Sequence, residues 1–378
     1  MSSFKEGLED VVVSTSEICF IDGREGRLLY RGYDVDDLVR SSSFEEVVYL
    51  LWHGNLPSRK DLDAHIKALS SVANRKLPLK LIAILRQLPK KTAPMEVLRT
   101  GVSALQAFDP DAEDNAREAT VRKAVRLTAQ MPTLVAAWER LRRGKPPVAP
   151  NPTLTLAANF LYMLSGQKPT ELAAKTFDVA LILHADHEFN ASTFAARVTA
   201  ATLSDLHSAV VSGIGALKGP LHGGANEQVM RMVEQIKTPD RAEAWIRKAL
   251  ADKARIMGFG HRVYRVEDPR AKHLRRLATE LGRQTGSARY VEILNTVARV
   301  VSEEKKIYPN VDLYSGAAYA SMGIPTDQFT PIFALSRVVG WSAHVLEQHA
   351  HNRLIRPRAE YTGPTSAKYV PIDQRSPR

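Results

Sequence analysis

Two histidines and one aspartate occupy short motifs whose residue types could take part in catalysis. His222 precedes two glycines in KGPLHGGANE, and His261 follows the glycines of MGFGHRVYR. Because glycine has no Cβ, a ligand or a backbone segment can come close at both histidines. Asp312 lies between Val311 and Leu313 in YPNVDLYSG, where apolar surroundings hinder ionisation and favour a general base. A turn, a charged helix start and a helix cap are the respective structural alternatives.

Another histidine and several arginines have the chemistry of ligand-binding groups. His187 belongs to HADHEFNAS, whose imidazoles and carboxylates could hold a metal ion, bind a ligand or stabilise a helix end. Arg337 interrupts the apolar ALSRVVGWSAH, and Arg270 and Arg356 lie in RVEDPRAKHL and LIRPRAEYTGP. Guanidinium groups match carboxylates and phosphates, and a buried Arg337 would need such a partner. Three further histidines show no metal-ligand spacing and are interpreted as packing or surface residues: His344, His349 and His351.

The composition is typical of a globular chain with large cores. Of 378 residues, 44% are hydrophobic and 25% charged, which favours two or three domains. Lysine and arginine number 52 against 41 acidic residues, so anionic partners such as phosphates, carboxylates or nucleic acid are favoured. The single cysteine, Cys19, cannot form an intrachain disulfide and indicates a cytoplasmic protein. We expect neither a signal peptide nor a membrane anchor.

The hydrophobic pattern predicts an all-α, multi-helical fold with one small β hairpin or meander, over VVVSTSEICFIDGREGRLLYRG. Apolar residues then recur every three or four positions, starting with a helix that Ser43 and Glu46 cap and Gly54 ends. Pro132 is expected to break or kink a later helix, and the proline-rich segment 144–152 is expected to be an exposed loop. GIGALKG lacks the preceding strand that a dinucleotide-binding loop requires.

Taken together, GPLHGGAN, GFGHRVYR and PNVDLYSG, in this order and at these separations, resemble the citrate synthase family. The resemblance extends from GLEDVVVSTSEICFIDGREGRLLYRGY near the start to RPRAEYTGP near the end. It implies an almost entirely helical two-domain fold and an obligate homodimer. Residues 1–220 and 324–378 are expected to form the large domain, which carries the oxaloacetate side, and residues 221–323 a small inserted domain on the CoA side. Gly/Pro breaks in the sequence lie at both boundaries.

The resemblance also implies a reaction and its catalytic residues. Members of this family are acyltransferases of the tricarboxylic acid cycle, which condense acetyl-CoA with oxaloacetate and water to give citrate and CoA. By this resemblance, Asp312 removes a methyl proton from acetyl-CoA while His222 hydrogen-bonds the thioester oxygen. His261 would polarise and protonate the oxaloacetate carbonyl as the carbon–carbon bond forms. Acetyl-CoA is then a co-substrate, and we expect no resident cofactor, metal ion, membrane or nucleic acid.

The substrate contacts follow from the same resemblance. It assigns oxaloacetate to His187, Arg270, Arg337 and the partner subunit's Arg356, so HADHEFNAS becomes a substrate contact rather than a metal site. The candidate CoA contacts are Gly258, Phe259, Gly260, Arg262, Lys305 and Lys306. The two breaks suggest hinges, and closure of the small domain after oxaloacetate binds is expected to complete the CoA site.

Two other functions remain open from the sequence. A 2-methylcitrate synthase has the same fold and catalytic set but accepts propionyl-CoA, and one methylene changes binding by only about 1 to 3 kcal/mol. A non-enzymatic basic helical protein that binds nucleic acid would also explain the charge surplus. It would not explain three histidine and aspartate motifs in family order.

Overall fold

The computed structural model describes residues 5–8 and 11–375, and helices dominate this part of the chain. The strands form one antiparallel sheet in the order β1 (Cys19–Asp22), β2 (Arg27–Tyr30) and β3 (Tyr33–Asp34). The helices in chain order are α1 (Val35–Ser41), α2 (Phe44–His53), α3 (Arg59–Ser70), α4 (Val72–Arg75), α5 (Leu79–Gln87), α6 (Pro94–Leu105), α7 (Arg117–Arg142), α8 (Leu156–Ser165), α9 (Glu171–His184), α10 (Ala191–Ala200), α11 (Leu206–Leu217), α12 (Ala225–Ile236), α13 (Pro239–Ala251), α14 (Pro269–Thr285), α15 (Arg289–Lys305), α16 (Val311–Ser321) and α17 (Phe329–Ala350). The predicted all-α fold with a small β element is confirmed.

Local sequence signals account for the ends of α2. The Ser43 hydroxyl accepts a hydrogen bond from the Glu46 amide at 3.3 Å, as an N-cap should. The Glu46 carboxylate accepts from the Ser42 hydroxyl at 2.6 Å, so the reciprocal half of the predicted capping box is replaced by a neighbouring contact. Gly54 ends the helix with φ of 88°, a conformation that glycine adopts without strain.

Pro132 does not break α7, which runs without interruption across it. Of the expected break or kink, the break is therefore wrong, and the kink stays a prediction. Proline has no amide hydrogen, so the carbonyl of Thr128 loses its helical partner. Every residue from Met131 to Glu139 is buried, and this packing holds the helix together across the lost bond. The predicted loop is confirmed, because residues 144–152 contain no helix or strand.

Helix α17 runs through the centre of the core, with every residue from Phe329 to Leu346 buried. A helix that is buried on all sides must be enclosed by other elements. Trp52 from α2 donates its indole N–H to the Val339 carbonyl at 3.0 Å. On another side, a Cβ at Gly213 of α11 would lie 2.9 Å from the Trp341 ring, so glycine permits the close approach of these two helices. The core therefore fixes α17 from several directions.

Two turns flank the segment that was expected to form the inserted domain. The first, from Lys218 to Gly224, joins α11 to α12, and the second contains Gly323 with φ of 73°. The division into two domains stays a prediction. Within the described residues, none of the helices combines the length and apolar character that a bilayer crossing requires.

Candidate active site

His222 lies in the turn between α11 and α12, and its protonation is fixed by Ser192 at the start of α10. The Ser192 amide lies 3.3 Å, and its hydroxyl 2.9 Å, from His222 Nε2. The Ser192 hydroxyl in turn accepts from the Trp341 indole at 3.2 Å, and its single proton can go either to His222 Nε2 or to the Asn190 side-chain oxygen, 2.7 Å away. An amide can only donate, so Nε2 is an acceptor and the ring proton resides on Nδ1. Burial, helped by Arg337, lowers the pKa of His222 to about 4, which keeps the ring neutral.

His261 has the opposite tautomer. Its Nδ1 accepts hydrogen bonds from the amides of Val263 and Tyr264 at 3.0 and 3.2 Å. The proton therefore lies on Nε2, which can donate to a ligand. Burial, followed by the charge of Arg270, lowers the pKa of His261 to about 4. Both histidines are thus neutral donors with different nitrogens available.

Asp312 is the second residue of α16, and the cap of that helix is a neighbouring residue. The Asn310 side chain accepts from the Asp312 amide at 3.0 Å, so the helix-cap interpretation applies to Asn310. Burial raises the pKa of Asp312 to about 7, although Arg270 and Arg337 act in the opposite direction. One carboxylate oxygen, Oδ1, is buried and has no protein hydrogen bond. These properties suit a base that accepts a proton near neutral pH.

His187 follows α9 and lies beside His261. The two imidazole rings meet edge to face with centroids 5.0 Å apart. His187 Nε2 lies 3.3 Å from the Tyr264 hydroxyl. Burial, followed by the charge of Arg270, lowers the pKa of His187 well below its ordinary value. Across residues 5–8 and 11–375, no group of three or more His, Cys, Asp or Glu side chains is arranged to hold a metal ion.

Arg270 is buried at the start of α14 and forms a two-pronged ion pair with Asp268. The distances are 2.9 Å from Nε to Oδ1 and 2.7 Å from a terminal nitrogen to Oδ2. The same carboxylate accepts from the Val311 amide at 3.2 Å. Burial alone would lower the pKa of Arg270, but the Asp268 carboxylate raises it above its ordinary value. Asp268 therefore ties this guanidinium to the helix that carries Asp312.

Arg337 is buried in the middle of α17 and forms no ion pair within the described chain. Its Nε donates to the His184 carbonyl at 2.8 Å, and its guanidinium lies 4.7 Å from the centre of the Phe333 ring. His222 faces the same phenyl ring, at 6.5 Å. Burial lowers the pKa of Arg337 to about 10, so the group remains charged. A carboxylate ligand would supply the missing anion.

Several predicted site residues lie apart from this cluster. Arg356 belongs to an exposed segment after α17 and meets none of the predicted substrate residues of its own chain in the hydrogen bonds and ion pairs described. Beside His261, the Gly260 N–H donates to the Tyr308 carbonyl at 2.9 Å, so this amide is engaged within the protein. The remaining CoA candidates have a mixed environment. Arg262, Lys305 and Lys306 are exposed, Gly258 is buried, and Phe259 pairs with Pro309.

Sequence reasoning missed the residues that orient the predicted ones, namely Ser192, Asp268 and Tyr264. Their partners are 30, 2 and 77 residues away in the chain, and only the Asp268 contact was local enough to suggest from spacing. It also missed the role of Gly23 in the β1–β2 turn. A Cβ there would lie 2.2 Å from the Val263 carbonyl, so glycine lets the sheet contact the loop that holds His261.

Comparisons with known proteins point to one family. The family model described as "Citrate synthase, C-terminal domain" matches residues 7–358. A citrate synthase of Haloferax volcanii is 51% identical over 376 residues, covering 98% of this chain and 99% of that protein. A 2-methylcitrate synthase of Mycobacterium tuberculosis is 45% identical over 359 residues, covering 95% of this chain and 90% of that protein. A solved ternary complex of carboxymethyl coenzyme A and oxaloacetate with the citrate synthase of Thermoplasma acidophilum has a TM-score of 0.91 and 38% identity, and covers 98% of each chain.

Proposed function

Because this chain belongs to the citrate synthase family, we propose that it condenses acetyl-CoA with oxaloacetate and water to give citrate and CoA. The observation that carries this proposal is the pair of neutral histidines with opposite tautomers, His222 and His261, together with the Asp312 carboxyl, whose pKa is raised to about 7 by burial. A thioester methyl group is a weak acid, so its deprotonation needs a base and a donor at the thioester oxygen. Removal of one such donor typically costs about 10²- to 10³-fold in rate.

The first step moves a proton from the methyl group of acetyl-CoA to the Asp312 carboxylate. The Nδ1–H of His222 stabilises the negative charge that develops on the thioester oxygen. A pKa near 7 makes Asp312 a stronger base than an exposed aspartate while leaving half of it ionised at that pH. A neutral imidazole donor suits an enolate or enol oxygen, because it adds no formal charge to the buried site.

The enol carbon then attacks the oxaloacetate carbonyl, and the new carbon–carbon bond turns that carbonyl into a hydroxyl. The Nε2–H of His261 polarises the carbonyl oxygen and gives it the proton; His261 regains a proton from water, and Asp312 releases to water the proton that it took from the methyl group. Water then adds to the thioester of citryl-CoA, and the carbon–sulfur bond breaks to release citrate and the CoA thiol. No electrons are transferred to or from a further group, so acetyl-CoA acts as a co-substrate and no resident cofactor is needed.

Oxaloacetate carries two carboxylates, and the proposed contacts are His187, Arg270, Arg337 and the partner subunit's Arg356. Arg337 supports this assignment because it is a buried cation without an ion pair in the described chain. The exposed position of Arg356 in its own subunit agrees with a contribution across a homodimer. The solved relative from T. acidophilum contains oxaloacetate together with a CoA analogue.

The domain arrangement belongs to the same proposal. Residues 221–323 would form the small domain and close over bound oxaloacetate, with residues 1–220 and 324–378 as the large domain. CoA would contact the Gly258–Gly260 segment, Arg262 and the Lys305-Lys306 pair. The amide of Gly260 is engaged with Tyr308, so this segment would offer CoA its remaining amides and its shape. We further propose that the enzyme works in the cytoplasm, where a lone thiol such as Cys19 stays reduced.

Thiol release by the purified protein tests this proposal, with oxaloacetate and either acetyl-CoA or propionyl-CoA. We expect kcat/KM to be clearly higher for acetyl-CoA. A preference for propionyl-CoA would instead assign 2-methylcitrate synthase activity, as in the M. tuberculosis relative. The matched variants are Asp312→Asn, which should lose activity, and Asp252→Asn, an exposed aspartate at the end of α13 that should not. A folded protein without thiol release from either substrate would overturn the proposal.

A further inference from the structure

One face of α17 holds three consecutive residues that immediately precede His187. Arg337 donates to the carbonyl of residue 184 at 2.8 Å, and the Gly340 amide donates to the carbonyl of residue 185 at 3.1 Å. His344 Nε2 lies 3.3 Å from the Asp186 carboxylate. Positions 337, 340 and 344 are spaced by three and four residues, so they lie along one side of the helix. The contacts fasten the chain to α17 at each residue up to the predicted substrate ligand.

This face of α17 packs so closely against Asp186 that a side chain at Gly340 could not be accommodated without a shift of neighbouring atoms. A Cβ at Gly340 would lie 2.3 Å from Asp186 Oδ1 and 2.5 Å from the Ala185 carbonyl oxygen. Asp186 and His344 are both fully buried. The Asp186 carboxylate also accepts from the Glu188 amide at 3.2 Å, and Glu188 has φ of 54°, which is unusual for a residue other than glycine. The turn that presents His187 is thus held in a strained conformation by its neighbours.

Arg197, His344 and Asp186 form a hydrogen-bonded relay, which determines that His344 donates to Asp186. Arg197 from α10 reaches His344 Nδ1 at 3.0 Å and the Glu347 carboxylate at 2.6 Å through the same terminal nitrogen. A guanidinium can only donate, so His344 Nδ1 is an acceptor and the ring proton lies on Nε2, facing Asp186. Burial alone would raise the pKa of Asp186, but His344 and Arg337 lower it, so the carboxylate is ionised.

The negative charge of Asp186 also favours the protonated form of Arg337. Asp186 is the strongest nearby charge favouring the protonated form of Arg337, yet the two form no ion pair within 4.0 Å. Asp186 therefore stabilises the buried guanidinium from a distance while the terminal nitrogens remain available to a ligand. His344 holds Asp186 in that place.

We propose that His344 is a positioning residue for oxaloacetate: its Nε2–H fixes the Asp186 carboxylate against α17 and so sets the geometry of His187 and Arg337. This inference rests on the proposed function, because it concerns the site of that substrate. His344 itself touches neither substrate nor reacting atoms. From the sequence, His344 was interpreted only as a packing or surface residue.

Two substitutions at the same position separate positioning from packing. His344→Gln can place an amide N–H near the position of Nε2 and keep a donor for Asp186. His344→Asn is shorter, places its amide near Nδ1 and leaves Asp186 without this donor. His349→Gln is the matched control on the same helix, since none of the described hydrogen bonds joins its ring to Asp186, His187 or Arg337. The measurements are kcat, the KM of each substrate, and the urea-induced unfolding of each variant.

For His344→Asn we expect the KM for oxaloacetate to rise by roughly 10²-fold, the scale of a misplaced binding group. The kcat and the KM for acetyl-CoA should change by less than about threefold, because the lost contacts bind substrate and transition state alike. His344→Gln should retain the wild-type KM within about tenfold. Equal KM values for the two variants, or losses that follow unfolding stability alone, would show a packing role and overturn the inference.

A spectroscopic measurement tests the relay without reference to activity. In protein labelled with ¹⁵N-histidine, we expect the His344 signals to show an unprotonated Nδ1 and a protonated Nε2, assigned by their loss in His344→Gln. A protonated Nδ1 would overturn the relay. If wild-type protein releases no thiol, the proposed function fails, and the tautomer alone then decides whether the relay exists.

Discussion

Replacing Asp312 by asparagine is expected to stabilise the folded protein at alkaline pH while removing most of its activity. The folded protein holds the pKa of Asp312 at about 7, mainly through burial, whereas an unfolded aspartate has its ordinary value of about 3.9. Below about pH 4 the carboxyl is neutral in both the folded and the unfolded protein, so it does not reduce the free energy of unfolding. Between the two pKa values the folded state must either keep the proton or bury a charge, so stability falls as the pH rises.

The size of this effect follows from the separation of the two pKa values. Each unit corresponds to about 1.4 kcal/mol, so the difference approaches about 4 kcal/mol above pH 7. Asp312 retains some solvent access, which reduces the figure to about 2 to 4 kcal/mol. Asparagine is neutral at every pH, so its burial does not reduce the free energy of unfolding as the pH rises. The advantage of the variant should therefore grow by about 1 to 3 kcal/mol between pH 5 and pH 8.

Urea-induced unfolding of wild type, Asp312→Asn and Asp252→Asn at pH 5 and pH 8 measures this difference. One protein concentration is used, because unfolding of the proposed dimer would depend on concentration. Thiol release by the same samples should fall by about 10²- to 10⁴-fold only for Asp312→Asn. A stability difference that does not change with pH would refute the argument that burial of Asp312 raises its pKa. The Asp252 control reports any general effect of removing a negative charge.

Four further outcomes follow from the site and its packing. The kcat/KM of the wild type should fall about tenfold per pH unit below pH 7, because only ionised Asp312 accepts a proton; a pH profile that is flat from pH 5 to 7 would contradict this. His222→Gln should lower kcat by about 10²- to 10³-fold in the thiol assay, as expected when an oxyanion donor is displaced. Gly340→Ala should lower the free energy of unfolding in urea by about 1 to 3 kcal/mol, because the methyl group would overlap Asp186. Burial raises the pKa of Asp178 to about 8, so Asp178→Asn should stabilise the protein at pH 9 but not at pH 4, as thermal unfolding at both pH values would report.

The sequence predicted best what depends on near neighbours. The start of α2 at Ser43 and its end at Gly54 follow from a side-chain cap and a left-handed glycine, which involve residues a few positions apart. The all-helical fold follows from apolar spacing in the same way. The break expected at Pro132 was wrong because distant helices bury that turn, and a local rule carries no information about them.

By itself, the sequence determined the chemical groups of the candidate site and their order: His222, His261 and Asp312 in three motifs, and arginines suited to carboxylates. Only the tertiary structure decided which nitrogen of His222 carries the proton, because Ser192 is 30 residues away in the chain. For His261 the folded backbone of its own motif decided it, by turning the amides of Val263 and Tyr264 toward Nδ1. The tertiary structure also raised the pKa of Asp312, through burial that no single segment produces. Residue types are fixed by the chain, whereas tautomers and pKa values depend on neighbours that folding brings together.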